Sequence, residues 1–279
     1  MNKLVGSYIM KNIKALLLVL FLPLTVVATG QVGDILIWKG DTLTVFSNPL
    51  ELRKDINSLR PKLFGIKEAG MNTGCWRGYV AEWEIIEDEL YLTNLFSCSY
   101  YQDSVKADLK KVFGAAYKNG KVKASWVTGE LLIPKGRLVH YVHQGYDSFY
   151  AYELVLSFRK GRLVGQKLYN NSMSHKSIYS ENPDSLQKFI YATIDWQRVP
   201  NLNDKKERVI LLIYSGKTTK PDSVRVVRGA ENEILTNEAV RVVSMLPDWD
   251  VYYKRGKVYP MPWTMPIIFS EEKRKKYAR

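Results

Sequence analysis

Between Asn182 and Phe269 the chain switches between helical and strand periods in a set order, and that order restricts the possible folds more than any other feature. Asn182-Pro183-Asp184-Ser185 opens a helix over Leu186–Ile194, with the aspartate or the serine as its cap. After a loop at 199–206, Glu207–Tyr214 is an apolar strand, and Ser215-Gly216-Lys217 turns into a second strand over Ser223–Gly229. Ile234, Leu235, Ala239, Val242, Val243 and Leu246 then recur at helical spacing in Asn232–Met245, which Pro247 stops. A loop holding Lys254-Arg255-Gly256-Lys257 leads into a last strand, Val258–Phe269. The succession helix, strand, strand, helix, strand describes a small α+β unit.

Several words of this stretch occur together and in one order. They are the helix Ser185–Trp196, Val224-Arg225-Val226-Val227-Arg228-Gly229, Asn237-Glu238-Ala239-Val240-Arg241-Val242-Val243, Met245-Leu246-Pro247-Asp248-Trp249, Lys254-Arg255-Gly256-Lys257 and Thr264-Met265-Pro266-Ile267-Ile268-Phe269. Residues 182–270 on this basis resemble the TonB C-terminal domain. The resemblance implies a periplasmic location and a role in TonB-dependent transmembrane transport. It also implies that a short extended segment, the TonB box of an outer-membrane transporter, is bound along the final strand by β-augmentation. The expected partner-binding residues are Tyr259, Pro260, Met261, Pro262, Trp263, Thr264 and Met265.

The chain departs from that family in three places. No long proline-rich linker precedes the unit, so force transmission across the periplasm is not expected. The turn Ser215–Pro221 is longer and more basic than the family's usual one. Prolines stand at 260, 262 and 266, positions of one parity, so in a regular strand their missing N–H groups all lie on one side. Tyr259, Met261, Trp263, Met265 and Ile267 carry the other side and are free to pair with the sheet. The outer edge then keeps few donors, a known way of blunting an edge against added strands.

Residues 31–180 read as a β-rich domain with one helix and no recognised family. Trp76–Ile86 and Glu89–Phe96 flank the acidic turn Glu87-Asp88, a hairpin pattern. Counting from that turn sets Cys75 opposite position 100, two residues from Cys98, so a single bulge brings the sulfurs together as a disulfide; two separate thiols are the rival reading. Asp103–Tyr117 places Val105, Leu109, Val112, Phe113 and Ala116 on one helical face behind an Asp103 cap. Strands are expected at Lys121–Trp126, Leu138–His143, Phe149–Phe158 and Arg162–Tyr169, parted by Pro134-Lys135-Gly136, Gln144–Asp147 and Lys160-Gly161. Aromatic residues are dense here, which suits half-buried strands and equally a glycan- or peptide-binding platform, the alternative reading of the whole protein.

The first thirty residues join Lys3, Lys11 and Lys14 to an apolar run from Ala15 to Ala28, broken by Pro23 and followed by small residues. They read as a secretory signal cleaved after Ala28 or Gly30. A retained anchor is the rival, with membrane contact expected only in that case, but the run is shorter than the roughly 20 residues needed to span a bilayer. Cleavage takes three of the 41 basic residues and none of the 28 acids, leaving a net charge of +10. The basic residues are scattered, which speaks against nucleic acid, except for Lys273-Arg274-Lys275-Lys276 in a tail, 271–279, read as solvated.

Enzyme constellations are thin. His140 and His143 fall on opposite faces of a strand-like run, which spoils a shared metal site, and His175 stands alone. Glu82, Glu84 and Asp147 are the acids whose pairing would be needed for acid and base roles. No motif sets a nucleophile beside a base, so no catalytic residue, metal or cofactor is assigned.

Overall fold

The computed structural model describes residues 30–65, 72–203 and 205–278; the signal-like segment 1–29 lies outside the described residues. The chain is α+β. Two hydrophobic cores divide it, one drawn from residues between Leu36 and Phe158 and the other from residues between Ile190 and Phe269.

In the first unit, β1 (Asp34–Trp38) pairs antiparallel with β2 (Asp41–Val45) and parallel with β3 (Val80–Ile86), after a short helix α1 (Ile56–Leu59). β3 turns into β4 (Glu89–Phe96) through Glu87 and Asp88, whose φ angles of 49° and 63° mark a two-residue hairpin turn. Two short helices follow, α2 (Tyr100–Asp103) and α3 (Leu109–Phe113). The small hairpin β5 (Tyr117–Lys118) and β6 (Lys121–Lys123) leads on to the long strands β7 (Gly129–His140), β8 (Phe149–Arg159) and β9 (Arg162–Asn170). The sheet runs β2-β1-β3-β4-β9-β8-β7. It curls until its ends meet, where Phe46 N donates to Leu132 O at 2.7 Å and Ser47 Oγ accepts from Leu132 N at 3.1 Å. Leu36, Trp83, Leu92, Leu131, Leu156 and Phe158 fill the interior of this partly closed barrel.

Three expectations for this unit need correction. Asp103–Tyr117 is not one helix. Ser104 adopts a left-handed φ of 53°, and Ser97 N and Ala107 N donate to Val105 O and Leu95 O, so residues 105–107 run beside the end of β4. The cap of α3 is Asp108, which accepts from Lys111 N at 3.0 Å; Asp103 instead accepts from Ser97 Oγ and Val105 N. Pro134 does not break β7 but sits inside it, tolerated because its nitrogen, like the Leu132 backbone, lies on the side away from β8, two residues past the bonds to Phe46 and Ser47, with Gly136 at φ 76° absorbing an irregularity in register. The strand expected at Lys121–Trp126 ends at Lys123.

The disulfide Cys75–Cys98 is present, with Cα atoms 5.9 Å apart. The bulge beside Trp83 carries the register away from Cys98, since Val80 faces Phe96 and extrapolation puts Cys75 beyond position 100. The sulfurs meet because the chain leaves the ladder after Phe96 and Cys75 sits in a turn closed by Cys75 N to Asn72 O and Gly78 N to Cys75 O.

The second unit starts at α4 (Ile178–Glu181) and α5 (Pro183–Thr193). Asn182 caps α5, accepting from Asp184 N and Ser185 N at 3.0 Å, where Asp184 or Ser185 had been the expected cap. β10 (Glu207–Tyr214) and β11 (Ser223–Arg228) precede α6 (Glu233–Ser244). The Lys254–Lys257 loop is itself a small hairpin, β12 (Tyr253–Lys254) and β13 (Lys257–Val258). The final strand β14 is therefore only Pro262–Phe269, shortened from the expected start at Val258 because Tyr259 N donates to Tyr252 O and prolines occupy 260 and 262. The sheet order is β11-β10-β14, with Val209, Leu211, Ile213, Met265, Ile267 and Phe269 facing Leu235, Val242 and Val243 of α6.

The basic tail is not a solvated run. Glu271–Tyr277 forms a helix, α7, capped by Ser270, whose Arg274 guanidinium donates to the carbonyls of Trp196, Val199 and Pro200 at 2.7–3.0 Å. Glu271 accepts from Leu202 N, and that bond, with Arg274, holds its carboxyl below the ordinary range. No helix among the described residues is long and apolar enough to cross a membrane.

Candidate functional site

β14 is an edge strand, paired with β10 on one side only. Ser215 N donates to Met261 O, and Met261 N donates to Ser215 Oγ at 2.9 Å, so the backbone of Met261 faces β10. Alternation along an antiparallel ladder then turns Trp263, Met265, Ile267 and Phe269 toward β10 and leaves Pro262, Thr264, Pro266 and Ile268 with their backbone groups outward. The side chains of Met265, Ile267 and Phe269 are buried, whereas those of Pro262, Thr264 and Pro266 are exposed. Ile268 N is already taken, donating to the Tyr191 hydroxyl of α5 at 3.2 Å. Thr264 keeps the one open N–H on this edge among the described residues, beside the outward carbonyls of Pro262, Thr264 and Pro266.

The seven residues expected to bind a partner divide three ways. Tyr259 lies edge-on to the Phe149 ring, 5.3 Å between centroids, and Met261 packs against the small cluster of Val139, Phe149, Ala151 and Tyr252 where the units meet. Trp263 packs edge-on to Trp249 at 5.7 Å, and Met265 is core. Pro260, Pro262 and Thr264 are exposed, the last two being the open part of the edge. Sequence reasoning missed the other open edge, β11, which has no proline and presents Val227 at 61% exposure.

The loop between α6 and β14 joins the units. Asp250 is 1% exposed and accepts from Lys176 Nζ at 2.8 Å, Ser177 N at 2.7 Å, Ser180 Oγ at 2.6 Å and the Tyr252 hydroxyl. Burial opposes its ionisation, but these bonds outweigh burial and hold the carboxyl below the ordinary carboxylate range. The Tyr252 phenol is correspondingly pushed up, by burial and by Asp250. Beside it, burial first and the Lys176 charge second keep His140 below the ordinary imidazole value. His140 ends β7 while His143 lies in the following loop, so the two do not share a strand. His175 bonds Asp248 at 2.8 Å and pairs its backbone with Val251.

Of the acids weighed for acid and base roles, Glu82 and Glu84 lie two residues apart on one face of β3. Glu82 accepts from Thr93 Oγ1 at 2.9 Å and from Asn94 Nδ2. Among the described residues no three His, Cys, Asp or Glu side chains converge as metal ligands. No family model, no curated protein and no solved structure matches the chain.

Proposed function

We propose that this chain is a periplasmic envelope protein whose C-terminal unit holds an extended segment of a partner along β14. An outer-membrane TonB-dependent transporter is the partner implied by the TonB resemblance, and the role is binding rather than catalysis. The observation that carries the reading is the single open side of β14, where the Thr264 N–H stands among the outward carbonyls of Pro262, Thr264 and Pro266. An added strand receives one N–H there, from Thr264, and has the outward carbonyls of Pro262, Thr264 and Pro266 to donate to, each such bond contributing about 1 kcal/mol net. The prolines at 262 and 266 remove two donors from this edge, so the grip is weaker than that of a proline-free edge, which suits an accessory binder better than a force transducer.

Fluorescence anisotropy with labelled TonB-box peptides tests this. Thr264→Pro removes the last donor and is expected to weaken binding by about fivefold, while Pro266→Thr restores one and tightens it by about fivefold. Binding that ignores both substitutions but is lost with Val226→Pro moves the partner to the β11 edge. Absence of binding by any TonB-box peptide overturns the transporter reading.

A further inference from the structure

The hairpin of β12 and β13 turns through Arg255 and Gly256, at φ 51° and 69°, a two-residue turn of the kind that matches strand twist. It is clamped to the first unit through that turn. Arg255 N donates to Glu153 Oε2 at 2.7 Å, Gly256 N to Asn171 Oδ1 at 2.8 Å, and Tyr253 N to Ser174 Oγ at 3.0 Å. The accepting side chains are themselves buried, and Asn171 Nδ2 bonds Glu153 at 3.0 Å. The hairpin is thus held rigidly against β9, and a cleft of about 780 Å³ opens between them, within the usual range for small-molecule sites.

Lys167, Lys254, Arg255 and Lys257 line this cleft with Tyr169 and Tyr259, and no acid joins them. Arg255 is paired with Glu130 at 2.9 Å, and Glu153 is occupied by the turn. Lys254 lies over the Phe149 and Tyr259 rings at 4.9 and 5.6 Å, and Lys167 over Tyr169 at 4.6 Å, contacts that place the ammonium groups without neutralising them. Among the described residues neither the Tyr169 nor the Tyr259 hydroxyl has a hydrogen-bond partner in the protein.

We infer that this cleft binds an anionic sugar, a ring carrying a carboxylate or phosphate. The lysines take the charge and the two phenol hydroxyls take ring hydroxyls. A nucleic-acid strand is a poorer fit, because the cations cluster around one turn and one strand instead of tracking successive phosphates. The site does not involve the outer edge of β14, so it stands or falls separately from the peptide reading.

Calorimetry on the whole chain, with the N-terminal signal-like segment removed, tests the inference. The probes are trigalacturonate, as a unit of an acidic polymer, glucose 6-phosphate, as a free sugar phosphate, and neutral maltotriose. One or both anionic probes are expected to bind at least about tenfold tighter than maltotriose, a margin equivalent to one charge-assisted hydrogen bond. Whichever of the two binds more tightly identifies the source. Affinity should fall as salt rises from about 50 to about 300 mM. Lys257→Glu, at an exposed position, and the double variant Lys254→Gln/Lys257→Gln should each lose the binding while retaining the wild-type circular dichroism spectrum. Equal binding of maltotriose, inorganic phosphate matching glucose 6-phosphate, a single-stranded oligonucleotide outcompeting both sugars, or undiminished binding by Lys257→Glu would each overturn the assignment.

Discussion

Two buried carboxylates, Asp34 and Asp250, are almost equally hidden from solvent, yet they are held in opposite senses. Asp34 lies inside the first unit, accepting from Arg77 Nη2 at 3.0 Å, Ala81 N at 3.1 Å and Trp83 Nε1 at 3.0 Å. Burial outweighs these partners and pushes its carboxyl up to about 6. Asp250 lies where the units join, and its four donors outweigh burial and hold the carboxyl down. The shell of Asp34 comes from β3 and the turn just before it, within one barrel. That of Asp250 comes from the connecting segment 176–180 and from Tyr252, which packs on Phe149 of β8. One acid is part of how a single core folds; the other is satisfied when its own loop is seated on residues 176–180, with Tyr252 packed on the first sheet.

The strongest way to break this comparison is Arg77→Met. It leaves Asp34 without its counter-charge in a site of 0% exposure, and it is expected to cost about 3–5 kcal/mol. In differential scanning calorimetry that loss should lower the midpoint of the single transition in which the two units melt together. Replacing Cys75 and Cys98 together by serine opens a loop of sequence separation 23 and should cost the same transition about 3 kcal/mol. Asp250→Asn removes the charge opposite Lys176 and is expected to cost about 2 kcal/mol. Its signature differs, because the units should melt apart in two transitions while the first keeps its midpoint.

The pH response sharpens the same contrast. The value for Asp34 is raised, so its contribution to stability is fully present below the ordinary carboxylate value of 3.8 and is lost as pH rises through about 6. The value for Asp250 is lowered, so its contribution is present above the ordinary value and is lost only as pH falls below it. Between pH 7 and pH 5 the first unit should therefore gain stability from Asp34 while Asp250 stays ionised, and the lowered value of His140 beside Tyr252 works in the opposite direction as pH falls. A stability profile for Asp34→Asn as steep as that of the wild type over this window would refute the assignment. The smallest effect is expected at the half-exposed His175–Asp248 pair, where His175→Ala should cost less than about 1 kcal/mol and leave the two units melting together.

Much of this architecture was legible residue by residue. The helical spacing of Leu235, Ala239, Val242 and Val243 gave α6 to within a residue, and the turn pairs Glu87-Asp88 and Lys160-Gly161 located two hairpins. Prolines of one parity anticipated an outer edge poor in donors. The failures share a cause. Asp103 was taken for a cap because its neighbours looked helical, but residues 105–107 are claimed by the end of β4. Pro134 looked like a separator because the side of β7 that faces away from β8 cannot be read from β7 itself. Arg274 looked solvated because its three carbonyl partners lie more than seventy residues earlier. The cationic cleft escaped notice because Lys167 and Lys257 are drawn together only when the hairpin turn docks on Glu153 and Asn171.

By itself, then, the sequence determined most of the elements and the donor-poor side of its last strand. Periodicity, turn chemistry and missing N–H groups are all local properties written in consecutive residues. Only the tertiary structure decided that β1 runs parallel to β3, that β2 meets β7, that Tyr191 covers Ile268, and which charges face one another across the junction. Those outcomes depend on pairing between segments far apart in the chain, and the pattern of either segment alone is compatible with many partners.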